Sequence, residues 1–188
     1  KNEKENVVTK TTSIVEQSAI KQVICGSPDR PLIIGDIEIQ CYVLEDETRV
    51  LSLRGLQRGI GLSTSGAQRR LLGLIQRLAS KGADLSVLSA HIQNPIEFQP
   101  PRGGRTAFGY EATILADICE AVLAARKVGL LQKQQEHIAD RCEILMRGFA
   151  RVGIIALVDE ATGYQEVRAR EALEEILRNF ISAELLKW

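Results

Sequence analysis

The sequence predicts an α+β fold: a small antiparallel N-terminal sheet and a hairpin with helices, followed by a C-terminal helical hairpin. Three observations carry this. Between residues 32 and 51, short apolar runs alternate with polar residues at a period of two. A second pair of strand-like runs, 96–98 and 106–110, brackets the tip Pro100-Pro101-Arg102-Gly103-Gly104-Arg105. Elsewhere, from Leu53 onward, apolar residues recur at spacings of three and four, the helical period.

Residues 1–28 read as an N-terminal arm. They are rich in Lys, Glu, Thr and Ser, and one apolar cluster (Ile14, Val15, Ile20, Val23, Ile24) suggests a short helix that docks on a neighbour. Gly26-Ser27-Pro28-Asp29 ends the arm.

The α+β domain is expected over 29–130. Leu32-Ile33-Ile34 runs into the turn pair Gly35-Asp36, and Ile37, Ile39, Cys41 and Val43 then alternate with Glu38, Gln40 and Tyr42. After a turn at 45–48, Arg49-Val50-Leu51 completes a meander with one packed and one wet face. Ser52 is placed to cap a helix over 53–60 that stops at Gly61. Ser63-Thr64-Ser65-Gly66 turns the chain into a second helix, 67–80, with Leu71, Leu74, Ile75 and Leu78 on one face and Gly82 at its end. A short helix near 85–91 precedes the hairpin. Another, starting after Glu111, carries Ile114, Ile118, Val122 and Ala125 on one stripe and closes at Gly129.

The helical hairpin is expected over 131–188. Ile138, Cys142, Leu145, Phe149 and Val152 recur at 4, 3, 4 and 3, which predicts one long helix over 132–158. The run 153–158 alone fits a buried strand equally well. Thr162-Gly163 ends the element, and a last helix over 165–185 bears Ala169, Leu173, Ile176 and Phe180.

Composition removes several classes of function. Apolar residues make up 45% of 188, enough for a real core in one domain or in one domain with a smaller lobe. Lys and Arg number 24 against 24 Asp and Glu, so any electrostatic argument has to be local. No apolar run approaches the roughly 18–20 residues of a membrane-spanning helix. The first ten residues are polar and charged, unlike a secretory leader. Cys25, Cys41, Cys119 and Cys142 lie 16, 78 and 23 residues apart, without CxxC or Cys/His metal spacing. The expectation is a cytoplasmic protein with reduced thiols, no membrane, no metal and no cofactor.

Charge is nevertheless segregated along the chain. From Thr48 to Gly82 there is no acid, while Arg49, Arg54, Arg58, Arg69, Arg70, Arg77 and Lys81 give +7 over 35 residues. Asp29 to Glu47 is the reverse, six acids and one Arg. The frame of the basic segment is helix, Gly-containing turn, helix. Ser63 and Ser65 precede the second helix, whose free N–H groups and dipole attract phosphate. Arg54 and Arg58, four apart, share a helix face, as do Arg70 and Arg77, seven apart. These residue types suit phosphate contact. The bland alternative is a solvated surface paired with the acidic stretch before it. At the hairpin tip, Gly103-Gly104 allows close approach to a backbone, and Arg102 and Arg105 could hold phosphate or simply keep the edge soluble. Together the two patches suggest a winged helix-turn-helix-like surface.

Enzyme readings find little. Gly59-Ile60-Gly61 with Gly66 follows a helix and lacks the Gly-Lys-Ser/Thr of a phosphate loop. His91 and His137 stand 46 apart. Asp159-Glu160 could end a strand as in metal-dependent nucleases, but no Glu-x-Lys companion follows.

Three blocks carry a family resemblance. Ile37-Glu38-Ile39-Gln40-Cys41-Tyr42-Val43-Leu44-Glu45-Asp46, with Arg49-Val50-Leu51-Ser52 and Arg54-Gly55, resembles the opening of phage-type regulators. Pro100-Pro101-Arg102-Gly103-Gly104-Arg105 followed by Gly109-Tyr110-Glu111 does too. Arg147-Gly148-Phe149-Ala150, then Val152-Gly153-Ile154-Ile155-Ala156-Leu157-Val158-Asp159-Glu160-Ala161-Thr162-Gly163-Tyr164-Gln165 and Arg168-Ala169-Arg170, is similar to bacterial, plasmid and prophage proteins bearing a "p-sixty-three-C" C-terminal domain. That domain is shuffled among viral regulators with KilA-N and BRO-type antirepressor modules. The resemblance spans about residues 30–188 and implies DNA-linked regulation without a catalytic residue. It further implies that the chain continues past Trp188 into the domain that names the family.

The expected function is a DNA-binding regulator of phage or mobile-element type, antirepressor-like and not an enzyme; DNA and RNA are not separated by sequence. The alternative is a protein-binding or oligomerisation module without direct DNA contact, with the helical hairpin as its surface and a repressor protein or a second copy as partner. A metal-dependent nuclease is the third reading.

Overall fold

The computed structural model describes residues 20–35, 37–80 and 84–187. Its strands are β1 (Lys21–Cys25), β2 (Leu32–Ile34), β3 (Ile37–Ile39), β4 (Cys41–Leu44), β5 (Arg49–Ser52), β6 (Ile96–Gln99) and β7 (Ala107–Glu111). Its helices are α1 (Leu53–Gly59), α2 (Ala67–Ala79), α3 (Ser86–Gln93), α4 (Ile114–Lys127), α5 (Glu136–Thr162) and α6 (Ala172–Leu185). The class is α+β, as expected.

The sheet is not a meander. Strands β1-β4-β5-β7-β6 close into a barrel, and β2 and β3 form a separate two-stranded ribbon. Strand directions cannot alternate all the way round a ring of five, so at least one neighbouring pair must be parallel. That pair is β1–β6, with Lys21 opposite Phe98 and Gln22 opposite Gln99. The other four are antiparallel. Where a short helix was expected near Val23 and Ile24, the chain therefore supplies the closing strand. Residues 1–19, with Ile14 and Val15, lie outside the described residues, as do Asp36 of the expected turn pair and Lys81.

The apolar alternation also slips. Ile39 is buried, but after Gln40 the buried side chains are Tyr42 and Leu44 rather than Cys41 and Val43. Gln40 separates the ribbon from the barrel, and its carbonyl accepts the Ser52 N–H at 2.8 Å. A break of one residue exchanges the two faces of a strand. Ile39 thus faces the helices, whereas Tyr42, Leu44, Val50 and Phe98 fill the barrel, the rings of Tyr42 and Phe98 5.3 Å apart.

The larger core lies outside the barrel, between its wall and the helices. Leu51 and Tyr110 face it from β5 and β7, against Leu56, Leu71, Ile75 and Ile118. The Tyr110 hydroxyl donates to the Ile92 carbonyl at 2.8 Å, and burial pushes this phenol up to about 12. The run 153–158 is helix, the interior of a single α5 that reaches Thr162 and ends on left-handed Gly163. The last helix begins later than expected, at Ala172, after a 3₁₀ turn at Tyr164–Glu166. It packs along α5 as the expected helical hairpin, with Leu177, Phe180 and Ile181 around Gly148.

Helix α1 is held by a backbone approach. Ser52, the last residue of β5, caps it by accepting the Gly55 N–H at 3.3 Å. A methyl group at Gly55 would lie 2.7 Å from Ser52 Oγ and 3.1 Å from the Ile39 Cα. At Gly59 it would meet only the Ile39 Cδ1, at 2.9 Å. Alanine favours a helix interior by about 1 kcal/mol over glycine, and overpacking against unyielding atoms costs about 1–3 kcal/mol. Gly55→Ala should therefore lower stability in urea unfolding, whereas Gly59→Ala, whose neighbour is the end of a flexible side chain, should be close to neutral. Equal stabilisation by both would contradict this seating of α1.

Candidate nucleic-acid interface

The two glycines decide where the α1 arginines go. Gly55 and Gly59 turn one face of the helix onto Ile39, and Arg54 and Arg58, one position earlier in each case, project into solvent. They border a groove of about 790 Å³ with Gln40, Ser52 and Leu53 on one side. Thr64, from the connection to α2, also lines it. Its other wall is the start of β7: Arg105, Thr106, Ala107 and Phe108. Three arginines and no carboxylate stand among these lining residues.

Arginines 47 residues apart in sequence, Arg58 and Arg105, thus share one concavity. Arg58 Nη2 reaches the Glu38 carbonyl at 3.4 Å, a contact that leaves its charge unneutralised. Among the described residues, Arg54 and Arg105 have no carboxylate within 4.0 Å. The β6–β7 tip is open: Gly103 and Gly104 have left-handed φ of 71° and 98°, and a methyl on either would meet nothing within 4 Å.

The other expected residues do not join them. Arg49 begins β5, three residues or about 10 Å from Ser52, and donates to the Glu47 carbonyl at 2.8 Å. Arg102 is paired with Asp29. Ser63 and Ser65 hydrogen-bond to each other at 2.9 Å, and Arg70 Nε donates to the Ser65 carbonyl at 2.7 Å. Arg69, Arg70 and Arg77 are exposed on α2 but do not line the groove. Of the two helices of the expected helix-turn-helix-like surface, α1 lines this groove with the start of β7 and α2 does not. The serines of the turn before α2 bind one another, and the apolar face of α2 packs on the core.

Sequence reasoning missed Gln40, Thr106 and Phe108; Thr64 belongs to the Ser63-Thr64-Ser65 turn that it placed before the second helix. Phe108 and Tyr110 share a parity on β7, so alternation puts them on the same outer face. The helical layer covers Tyr110 and stops short of Phe108, which is 44% exposed. No local signal marks where that cover ends.

The nuclease reading loses its strand end. Asp159 sits within α5, largely buried, and is bonded to Arg168 at 2.7 Å. Among the described residues no group of three His, Cys, Asp or Glu is placed to hold a metal ion, and no helix is long and apolar enough to cross a membrane. Comparison with family models, with curated proteins and with solved structures gives no match.

Proposed function

We propose that the chain is a DNA-binding regulator of phage or mobile-element type, acting in the cytoplasm as a binder and not as an enzyme. One observation carries the reading: two basic segments distant in sequence, Arg54/Arg58 and Arg105, line one groove that contains no carboxylate. Guanidinium groups match phosphate geometry through paired N–H donors, and a concave wall of low dielectric strengthens their field. In a chain of zero formal charge, such a concentration is where a polyanion would be held. The resemblance to antirepressor-associated proteins points the same way.

Each phosphate contact contributes about 0.7–0.9 to the slope of log affinity against log salt. Replacing Arg54 and Arg58 together with Ala should weaken DNA binding in fluorescence anisotropy and reduce that slope by about 1.4–1.8. Arg49→Ala, at the far end of β5, should leave the slope nearly unchanged. A steep salt dependence that survives loss of both α1 arginines would remove the groove from the footprint.

A second reading, self-association, is favoured by one feature. Ile154, Leu157 and Val158 are 59%, 63% and 53% exposed on the side of α5 turned away from α6. Contiguous apolar surface of this kind marks association sites more often than isolated exposed residues do. If a second copy covers it, light scattering should give at least twice the chain mass, and Leu157→Asp should return the chain mass. A monomer in the unaltered protein would end this reading without touching the first.

A further inference from the structure

The groove carries one feature that phosphate binding does not use. Phe108 presents its ring from β7 at 44% exposure, in the same wall as Arg105. Single exposed apolar side chains are ordinary. The surroundings of this one are not: among the described residues no aromatic ring or cation packs on it, and four uncharged polar side chains line the same concavity. Gln40, Thr64 and Thr106 make no side-chain hydrogen bond among the described residues, so their donors and acceptors are open. The Ser52 oxygen accepts the Gly55 N–H and still has a proton to donate.

We infer that the groove takes an unpaired nucleic-acid strand, with Phe108 stacking on a base while Arg54, Arg58 and Arg105 hold the adjoining phosphates. This rests on the nucleic-acid reading above and narrows it. Stacking needs the open face of a base, which a duplex hides within its stack and an unpaired strand exposes. Reading the major groove of a duplex calls for a helix or ribbon that protrudes into it. Here α1 has only seven residues and its arginines border a concavity, so the element to be received is one strand, not a rod.

The charge beside Phe108 favours a base there over a phosphate. Glu97 is the cross-strand partner of Phe108 on β6, exposed and outside the groove lining. A carboxylate beside the ring repels phosphate and tolerates a base. The arginines lie on the α1 side and at the hairpin end. Phosphates are thus drawn toward Arg54, Arg58 and Arg105, and a base toward Phe108.

The test is anisotropy with the full chain against fluorescent oligothymidylate, oligouridylate and a DNA duplex of matched length, at low salt. Binding to one or both unpaired strands should be tighter than to the duplex, and the preferred sugar separates DNA from RNA. Phe108→Ala should lose roughly 5- to 150-fold on the unpaired strand, the range for one stacked base, and little on the duplex. Phe108→Trp should retain binding. Because Phe108 is exposed, a matching unfolding midpoint for Phe108→Ala confirms that the loss is one of contact. Duplex binding as tight as single-strand binding, or a Phe108→Ala protein that binds the unpaired strand normally, would overturn the inference and leave the DNA-binding reading intact. No binding to any of the three probes would bring down both.

Discussion

The seat of α1 on Ile39 is the constraint on which the rest of the arrangement depends. Two glycines four residues apart let a seven-residue helix lie against the β2–β3 ribbon with almost no side chain between them. So short a helix is not stable alone, since nucleation outweighs the few hydrogen bonds it gains. Ser52 supplies its cap, Leu56 and Ile60 its apolar anchor, and Ile39 its floor. With that face fixed, the arginine preceding each glycine borders the groove whose other wall β7 forms.

The barrel sets the opposite wall by a different route. Because β6 and β7 are neighbours in the ring and β7 pairs with β5, the hairpin tip stands beside the point where β5 becomes α1. Gly109 lies against the Leu51 carbonyl, where a methyl group would come within 2.5 Å, so β7 can approach β5 closely at the level of Ser52. One pairing register thus joins Ser52 and α1 to Arg105–Phe108. The groove is a consequence of strand order, and neither basic segment specifies it alone.

Helix positions were legible in the sequence because the apolar spacing and the punctuation agree. Ser52 before α1, Gly129 after α4 and Gly163 after α5 all behave as their residue types predict. Barrel closure was not legible. Two residues of pairing between β1 and β6 depend on segments more than seventy residues apart, and Lys21–Cys25 has no turn chemistry binding it to either neighbour. The slip at Gln40 was equally hidden, because Ile37, Ile39, Cys41 and Val43 keep a perfect alternation through the point where the chain changes sheets. Of the basic residues, charge type was readable and direction was not. Arg102 and Arg105 look alike in sequence, yet one meets Asp29 and the other lines the groove.

The most direct test of the groove as the nucleic-acid interface is a titration of isotope-labelled protein with a short oligonucleotide, followed through backbone amide shifts. Perturbations should gather at Gln40, Ser52 to Arg58, Thr64 and Arg105 to Phe108, with α5 and α6 silent. Perturbations centred on the outer face of α2, or on Ile154 to Val158, would contradict that assignment.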